Sequence, residues 1–407
     1  MLALEEAQSR ILQPLAALPG ESVALAAAHG RVAVRDRVAA CPLPQFDNSA
    51  MDGFAVRAAD TATARPDLPV RLRLNGAVAA GRPSSTMLLP GEAMRIFTGG
   101  MLPMGADAVI PQEACRSTAA HVDLEAGVAV GADVRRAGED IAVGERVLEG
   151  GQEIGAGDVA LLAAQGIAVV EVVRRPRVAV LATGDELKEI DAALAPGEIR
   201  DCNSPMLAAA VADAGGIPIV LPPSPDREDA LEQALFAAAR AADLIVSAGG
   251  VSVGDHDLVR EVIRRHGRID FWQVAIKPGK PLAFGALLDT PFIGLPGNPV
   301  SAFVCFELFA RLAVRRLGGH RKIHRPRRPV RLTQDLGAHR ARRELVRATL
   351  ETRDGELWAT PRPHQGSSHL SSLAQVDALL DLPAGDLLLR TGDAADALIL
   401  NPNALAS

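Results

Sequence analysis

Cysteine is scarce and scattered. Cys41, Cys115, Cys202 and Cys305 form no CxxC pair and no Cys/His cluster, which excludes a zinc site of the usual spacing and a disulfide framework. No apolar run reaches the length of a membrane span. The start, "MLALEEAQSRILQPLAAL", has acidic residues and helical apolar spacing where a signal peptide would be basic and then continuously apolar. The cytoplasm is therefore the expected compartment. The formal net charge is −6, a balance that argues against bulk binding to nucleic acid or a membrane surface. Tyrosine is absent while Ala and Arg abound, which we read as genomic bias. There is no Ser-His-Asp order, no nucleophile elbow and no metal-type histidine spacing. His29, His121, His256, His266, His364 and His369 are scattered along the chain and are assigned to surface or capping roles.

Lysine is the most informative scarcity. Of 43 Lys and Arg residues only Lys188, Lys277, Lys280 and Lys322 are lysine, and two of these fall in "AIKPGKPLAFG". Arginine is planar and pairs bidentately, whereas lysine is a compact point charge on a flexible stem. Pro278 and Pro281 stiffen the turn, and Gly279 permits close approach. Two ammonium groups held this way suit a polyanion; the plainer reading is a solvated loop.

The 407 residues allow two to four domains. An amphipathic helix is expected through about Leu18, then short strands. "CPLPQFDNSAMDGFAV" reads as a loop, Asp67 to Glu113 as a small β-rich region, and Ala156 to Gln165 as a helix. From "RRPRVAVLATGDEL" onward, apolar strands alternate with helices, which marks a mostly parallel sheet covered on both faces. After about Gly319 short strands with turns predict a small closing β domain. The expected fold class is thus multidomain α/β and β, with a central three-layer α/β domain.

In such sheets ligands bind beyond the carboxyl ends of the strands. Three Gly-bearing loops fall there: "LATGDEL", "SAGGVSVGDHD" and "LPGNPVSAF". Such loops offer backbone N–H groups and helix N-termini to an anion. Singly, each could be a plain βα turn. Asp185, Glu186, Asp255 and Asp257 lie in them, as natural Mg²⁺ ligands beside phosphates or as helix caps. "NSAMDGFAV" holds Asp52, and "RIFTGGMLPMGADAVIPQE" adds Thr98 and Glu113.

In order along the chain, "PLPQFDNSAMDGFAV", "RIFTGGMLPMGADAVIPQE", "RRAGEDI", "LATGDEL", "SAGGVSVGDHD", "AIKPGKPLAFG" and "LPGNPVSAF" resemble the signatures of molybdopterin molybdotransferase, the MoeA family, to which the gephyrin E-domain belongs. The resemblance extends to "QGSSHLSSLA" in the tail. It implies an elongated homodimer of four-region protomers. These are an extended N-terminal domain (1–26, 42–50 and 137–174), an inserted β-rich domain (27–41 and 51–136), an α/β molybdopterin-binding domain (175–318) and a C-terminal β barrel (319–407). The implied cleft lies between the α/β domain of one protomer and the Asp52/Thr98 region of the other. The implied reaction is Mg²⁺-dependent. It inserts molybdenum from molybdate into the dithiolene of adenylylated molybdopterin and releases AMP. Molybdopterin adenylyltransferase and later cofactor-maturation proteins are the implied transient partners, with no nucleic acid and no membrane.

The resemblance also implies roles for residues. Asp52, Thr98, Glu186, Asp257, Lys277 and Lys280 match catalytic positions, with Glu186 and Asp257 as Mg²⁺ ligands. Asp140, Thr183, Gly184, Asp185 and Asp226 match substrate-binding positions, as do Ser247, Gly249, Gly250, Ser252 and Gly254 of the second loop. Pro296, Gly297, Asn298, Pro299 and Ser301 shape the third loop, and Arg343, Arg347 and Ser371 are candidates for the molybdate end. Gln273 stands where many relatives have a basic residue, Ser368 and His369 where Gly and Met are common, and Asp377 where Asn is common. Two further readings are a gephyrin-like scaffold without catalysis and a tungsten-inserting homologue. A stand-alone adenylyltransferase, sharing only the α/β domain, would lack the first 170 residues and the final β domain.

Overall fold

The apolar runs of the second half become strands buried on both faces. Arg177–Ala182, Leu244–Ala248 and Thr290–Leu295 lie side by side in parallel, and Ile217–Val220 extends the parallel set at one edge. Pro281–Leu287 and Gly267–Gln273 complete a six-stranded sheet in antiparallel register. Period-2 alternation divides the side chains between two cores. Val178, Val180, Val246 and Ile293 face the helices Leu4–Leu12, Asn203–Asp213 and the long helical segment from Pro299 to Leu317. Ala179, Leu181, Ile245 and Phe292 face the helices Glu228–Ala241 and Leu258–His266. The expected three layers are present.

Residues 1–250, 258–337 and 339–405 are described in this computed structural model. They divide into two compact units, Met1–Val34 with Gly151–Gly155 and Val169–Ser407, and Arg35–Gly150 with Ala156–Ala168.

In the first unit, the opening helix stops at Leu12 and not near Leu18. Pro14 follows two residues on and has no N–H to continue the ladder. The antiparallel pair 267–273 and 281–287 is also a departure from a purely parallel reading. "AIKPGKP" is the connection between these two strands, closed by a Val274 N–H bond to the Lys280 carbonyl (3.1 Å). The Thr183 loop likewise does not enter a helix directly. An excursion first forms a small parallel pair, Leu187–Lys188 with Ile199–Arg200, before the helix begins at Asn203. The Pro299–Leu317 segment contains one π-helical turn, Phe306–Ala310, which buries Phe306 and Phe309 completely. It also places Glu307 inside, paired with Arg325 at 2.9 Å.

The closing β domain is a barrel. Arg343–Arg353, Glu356–Pro361, Arg327–Leu332, Ala394–Ile399 and Ala378–Leu382 are neighbours in that order, and pairing of the last with the first shuts it. Val330, Leu332, Val346, Leu380 and Ile399 fill the interior. The short strand Ile276–Lys277 joins from outside, parallel to Arg343–Glu344.

The second unit carries its own six-stranded sheet, in the order Ala108–Pro111, Gly53–Val56, Glu92–Ile96, Val70–Val78, His121–Leu124, Cys115–Ser117. Gly53–Val56 falls inside the segment expected to be a loop. Its four residues are buried: Phe54 and Val56 join one core, Ala55 the other.

Candidate functional site

Three loops at the carboxyl edge of the α/β sheet approach one another closely, and small residues make the approach possible. Gly249 and Gly250 have φ of +92° and +64°, a region that favours glycine. A Cβ on Gly249 would lie 2.6 Å from the Thr183 carbonyl oxygen, and one on Gly297 would lie 3.5 Å from the Gly249 Cα. The Thr183 and Gly249 N–H groups bond to the carbonyls of Ala248 and Leu295 (3.0 and 3.1 Å).

Around this junction several buried polar atoms have no hydrogen-bond partner among the described residues: Thr183 Oγ1, Asn203 Oδ1, Ser204 Oγ and Ser247 Oγ. Leaving such groups unpaired is costly, so a concentration of them marks a place built to receive a hydrogen-bonding ligand or water. Asn203 Nδ2 bonds the Gly297 carbonyl at 2.7 Å, and the buried Asp201 accepts from the Ser204 N–H at 3.0 Å. Asn203 and Ser204 are absent from the sequence candidates. At the start of a helix they look like ordinary helix-start residues, and only the fold brings them beside Gly297.

An acidic group lies on the other side of Thr183. The Asp226 N–H bonds Asp185 Oδ1 at 2.9 Å, and the Glu186 carboxylate lies over Gly184. Burial, then the charges of Asp185 and Glu186, push the Asp226 carboxyl above the ordinary range. Crowded carboxylates of this kind suit a hard cation. Among the described residues no three His, Cys, Asp or Glu side chains converge as a complete metal site. Ser252, Gly254, Asp255 and Asp257 lie outside the described residues.

The lysine turn is held from below. Gly279 has φ of +110°, and a Cβ there would lie 2.3 Å from Cys305 Sγ in the helix Pro299–Cys305. Burial pushes that thiol far up, so Cys305 acts as a neutral floor. The two ammonium groups have different surroundings. Lys277 Nζ is 2.9 Å from Glu344 Oε1 of the barrel, whereas Lys280, half-buried, has no ion pair among the described residues. Pro296 is buried and Gly297 and Asn298 are exposed. Asn298 occupies the N-cap position without a side-chain cap bond; Pro299 is in the first turn, and Ser301 is buried two residues on.

The short helix Leu370–Leu373 packs against the same Pro299–Cys305 helix. There Arg347 is fully buried and donates from Nε to Ser372 Oγ (2.8 Å) and from Nη2 to the carbonyls of His364 and Gly366 (3.2 and 3.3 Å). Its Nη1 is buried with no partner among the described residues, and burial pulls its pKa down to about 10. The hydroxyl on Arg347 belongs to Ser372; Ser371 is exposed. Arg343 is committed elsewhere, bidentate to Asp381 at 2.5 Å on both nitrogens and paired with Glu5. The rings of His364 and His369 stack at 5.1 Å beside this loop, a juxtaposition that their separate positions do not reveal.

In the second unit Asp52 Oδ1 accepts from both the Thr98 N–H (2.7 Å) and the Thr98 hydroxyl (2.8 Å). These bonds hold its carboxyl below the ordinary range. The two expected partners therefore meet as one ionised unit. Asp140 is exposed.

Three family models match the chain: "MoeA N-terminal region (domain I and II)" over residues 2–166, "Probable molybdopterin binding domain" over 179–316, and "MoeA C-terminal region (domain IV)" over 329–400. The chain is 39% identical over 390 residues to molybdopterin molybdenumtransferase 2 of Mycobacterium tuberculosis, covering 94% of this chain and 96% of that protein. It is 34% identical over 385 residues to the Bacillus subtilis molybdopterin molybdenumtransferase, covering 93% and 90%. Among solved structures it is similar to a molybdopterin biosynthesis moeA protein from Pyrococcus horikoshii, with a TM-score of 0.84, 32% identity and coverage of 98% and 99%.

Proposed function

The chain belongs to the MoeA family and carries out MoeA-type molybdenum insertion into molybdopterin, and from that premise we propose how its residues divide the work. The substrate is adenylylated molybdopterin, molybdate is the metal source, and AMP leaves. Thr183, Ser247, Asn203 and Ser204 receive the hydrogen-bonding part of the substrate at the sheet edge. Gly249, Gly250 and Gly297 keep side chains out of its way. Positive charge at the lysine turn and the buried Arg347 gathers the oxyanion without supplying a nucleophile. Asp52 stays ionised through Thr98.

Mg²⁺ fits the acidic side. Its chemistry calls for oxygen donors, often one or two carboxylates completed by phosphate oxygens and water. Glu186 and Asp257 would hold it, and the bound ion would offset negative charge on the phosphates. Asp185 and Asp226 keep that corner negative and so favour a cation there.

The observation that carries this reading is the gathering of unpartnered buried polar atoms at one sheet edge. Mixing the purified protein with Mg²⁺, molybdate and adenylylated molybdopterin tests it. AMP release with molybdenum retained on the pterin is expected; silence in that assay favours a scaffold. Equal incorporation of molybdenum and tungsten from a mixture would remove the preference for molybdenum. A homodimer and a transient encounter with the adenylyltransferase that makes the substrate are part of the same proposal.

A further inference from the structure

We propose that Glu344 is the internal counter-ion of the lysine turn. It neutralises Lys277, leaves Lys280 as the cation offered to an incoming oxyanion, and thereby sets the turn's anion affinity. This rests on reading the turn as an oxyanion site.

The backbone dictates the pair. Ile276–Lys277 runs parallel to Arg343–Glu344, with Lys277 opposite Glu344 in the register. Arg342 Nη1 reinforces the join by donating to the Ile276 carbonyl at 3.1 Å. The side chains then meet at 2.9 Å, Lys277 58% exposed and Glu344 19%. The second carboxylate oxygen lies 3.7 Å from Arg340 Nε, so Glu344 is held between two cations. Lys280, three residues on, has no such carboxylate among the described residues. The sequence therefore concentrates two lysines in one turn, and the barrel occupies one of them.

An ammonium group has three donors and one charge. A carboxylate at hydrogen-bond distance competes with any external oxyanion for both. Glu344 is in this sense a positioning residue: it touches Lys277, not the reacting atoms.

The scarcity of lysine makes the test direct. Reductive ¹³C-methylation of the whole protein labels the four lysines and the N-terminal amine, and each lysine signal is assignable by its own Lys→Arg variant. Sodium molybdate is titrated at fixed ionic strength. In wild-type protein the Lys280 signal should move while that of Lys277 stays. In Glu344→Gln both should move, and the molybdate midpoint should fall by about three- to fivefold, the scale of one partly exposed ion pair. Glu344→Asp should restore the wild-type pattern. Damage to the fold cannot tighten binding, so the sign separates a counter-ion from a structural prop. An equal midpoint in wild type and Glu344→Gln, no response in either, or Lys277 moving first in wild type overturns the proposal. No turnover is read, so failure here leaves the transferase reading intact, and absent AMP release would leave this result intact.

Discussion

Asp226 and Asp52 are both loop carboxylates, yet their surroundings push them in opposite directions. Asp226 is raised by burial and by the charges of Asp185 and Glu186; Asp52 is lowered by two bonds from Thr98. A raised carboxyl binds its proton more tightly in the folded state. Its ionised form therefore costs stability above that raised pKa, and the cost fades as the pH falls toward and below the ordinary 3.8. Asp226→Asn should accordingly melt higher than wild type at neutral pH, and thermal scans should show the gain vanish in acid, while AMP release falls. Glu186→Ala should abolish AMP release with adenylylated molybdopterin still bound; normal turnover would remove Glu186 from the site. Arg347→Ala leaves Ser372 and two carbonyls without their buried donor, and urea unfolding should register a loss of about 3 kcal/mol.

At the scale of elements, the parallel strands and most helices of the α/β layer are legible because their signals are local: continuous apolar runs and 3.6-residue periodicity. What is not legible depends on pairing across distance. The strands at 267–273 and 281–287 flank the stretch that reads as a lysine turn, the second overlapping it, and their antiparallel pairing carries no helical crossover to announce it. Ala394–Ile399, the fifth barrel strand, is a short Ala-rich run whose flanking partners, Arg327–Leu332 and Ala378–Leu382, only the fold supplies. In the site, glycines and lysines announce themselves by type and spacing. Asn203, Ser204, Ser372 and Glu344 do not, since each is an ordinary residue until the fold gives it a neighbour. Gly279→Ala tests a tight junction between elements. It forces a side chain into φ of +110° and against Cys305 Sγ, so a loss of at least about 1–2 kcal/mol is expected. Adding Cys305→Ala should recover only the steric part in chemical denaturation.

At the scale of the whole molecule, the chain carries a net charge of −6, yet the turn proposed to gather an anion is built on two lysines. Surface attraction of that kind is screened by salt. The KM for molybdate should therefore rise between low and physiological ionic strength, with the KM for adenylylated molybdopterin measured alongside as the second anionic ligand. Light scattering should give twice the 42.6 kDa of the chain if the proposed homodimer forms; a single-chain mass would remove the second copy from the proposal.

The strand that carries Lys277 is stapled to a barrel wall encoded some seventy residues later, and that wall is itself closed only by Ala378–Leu382 and Ala394–Ile399. The turn keeps its own closing bond within the α/β layer, from the Val274 N–H to the Lys280 carbonyl, but the carboxylate that meets Lys277 is supplied by the barrel. The charge that the turn presents is thereby tied to the folding of a second core.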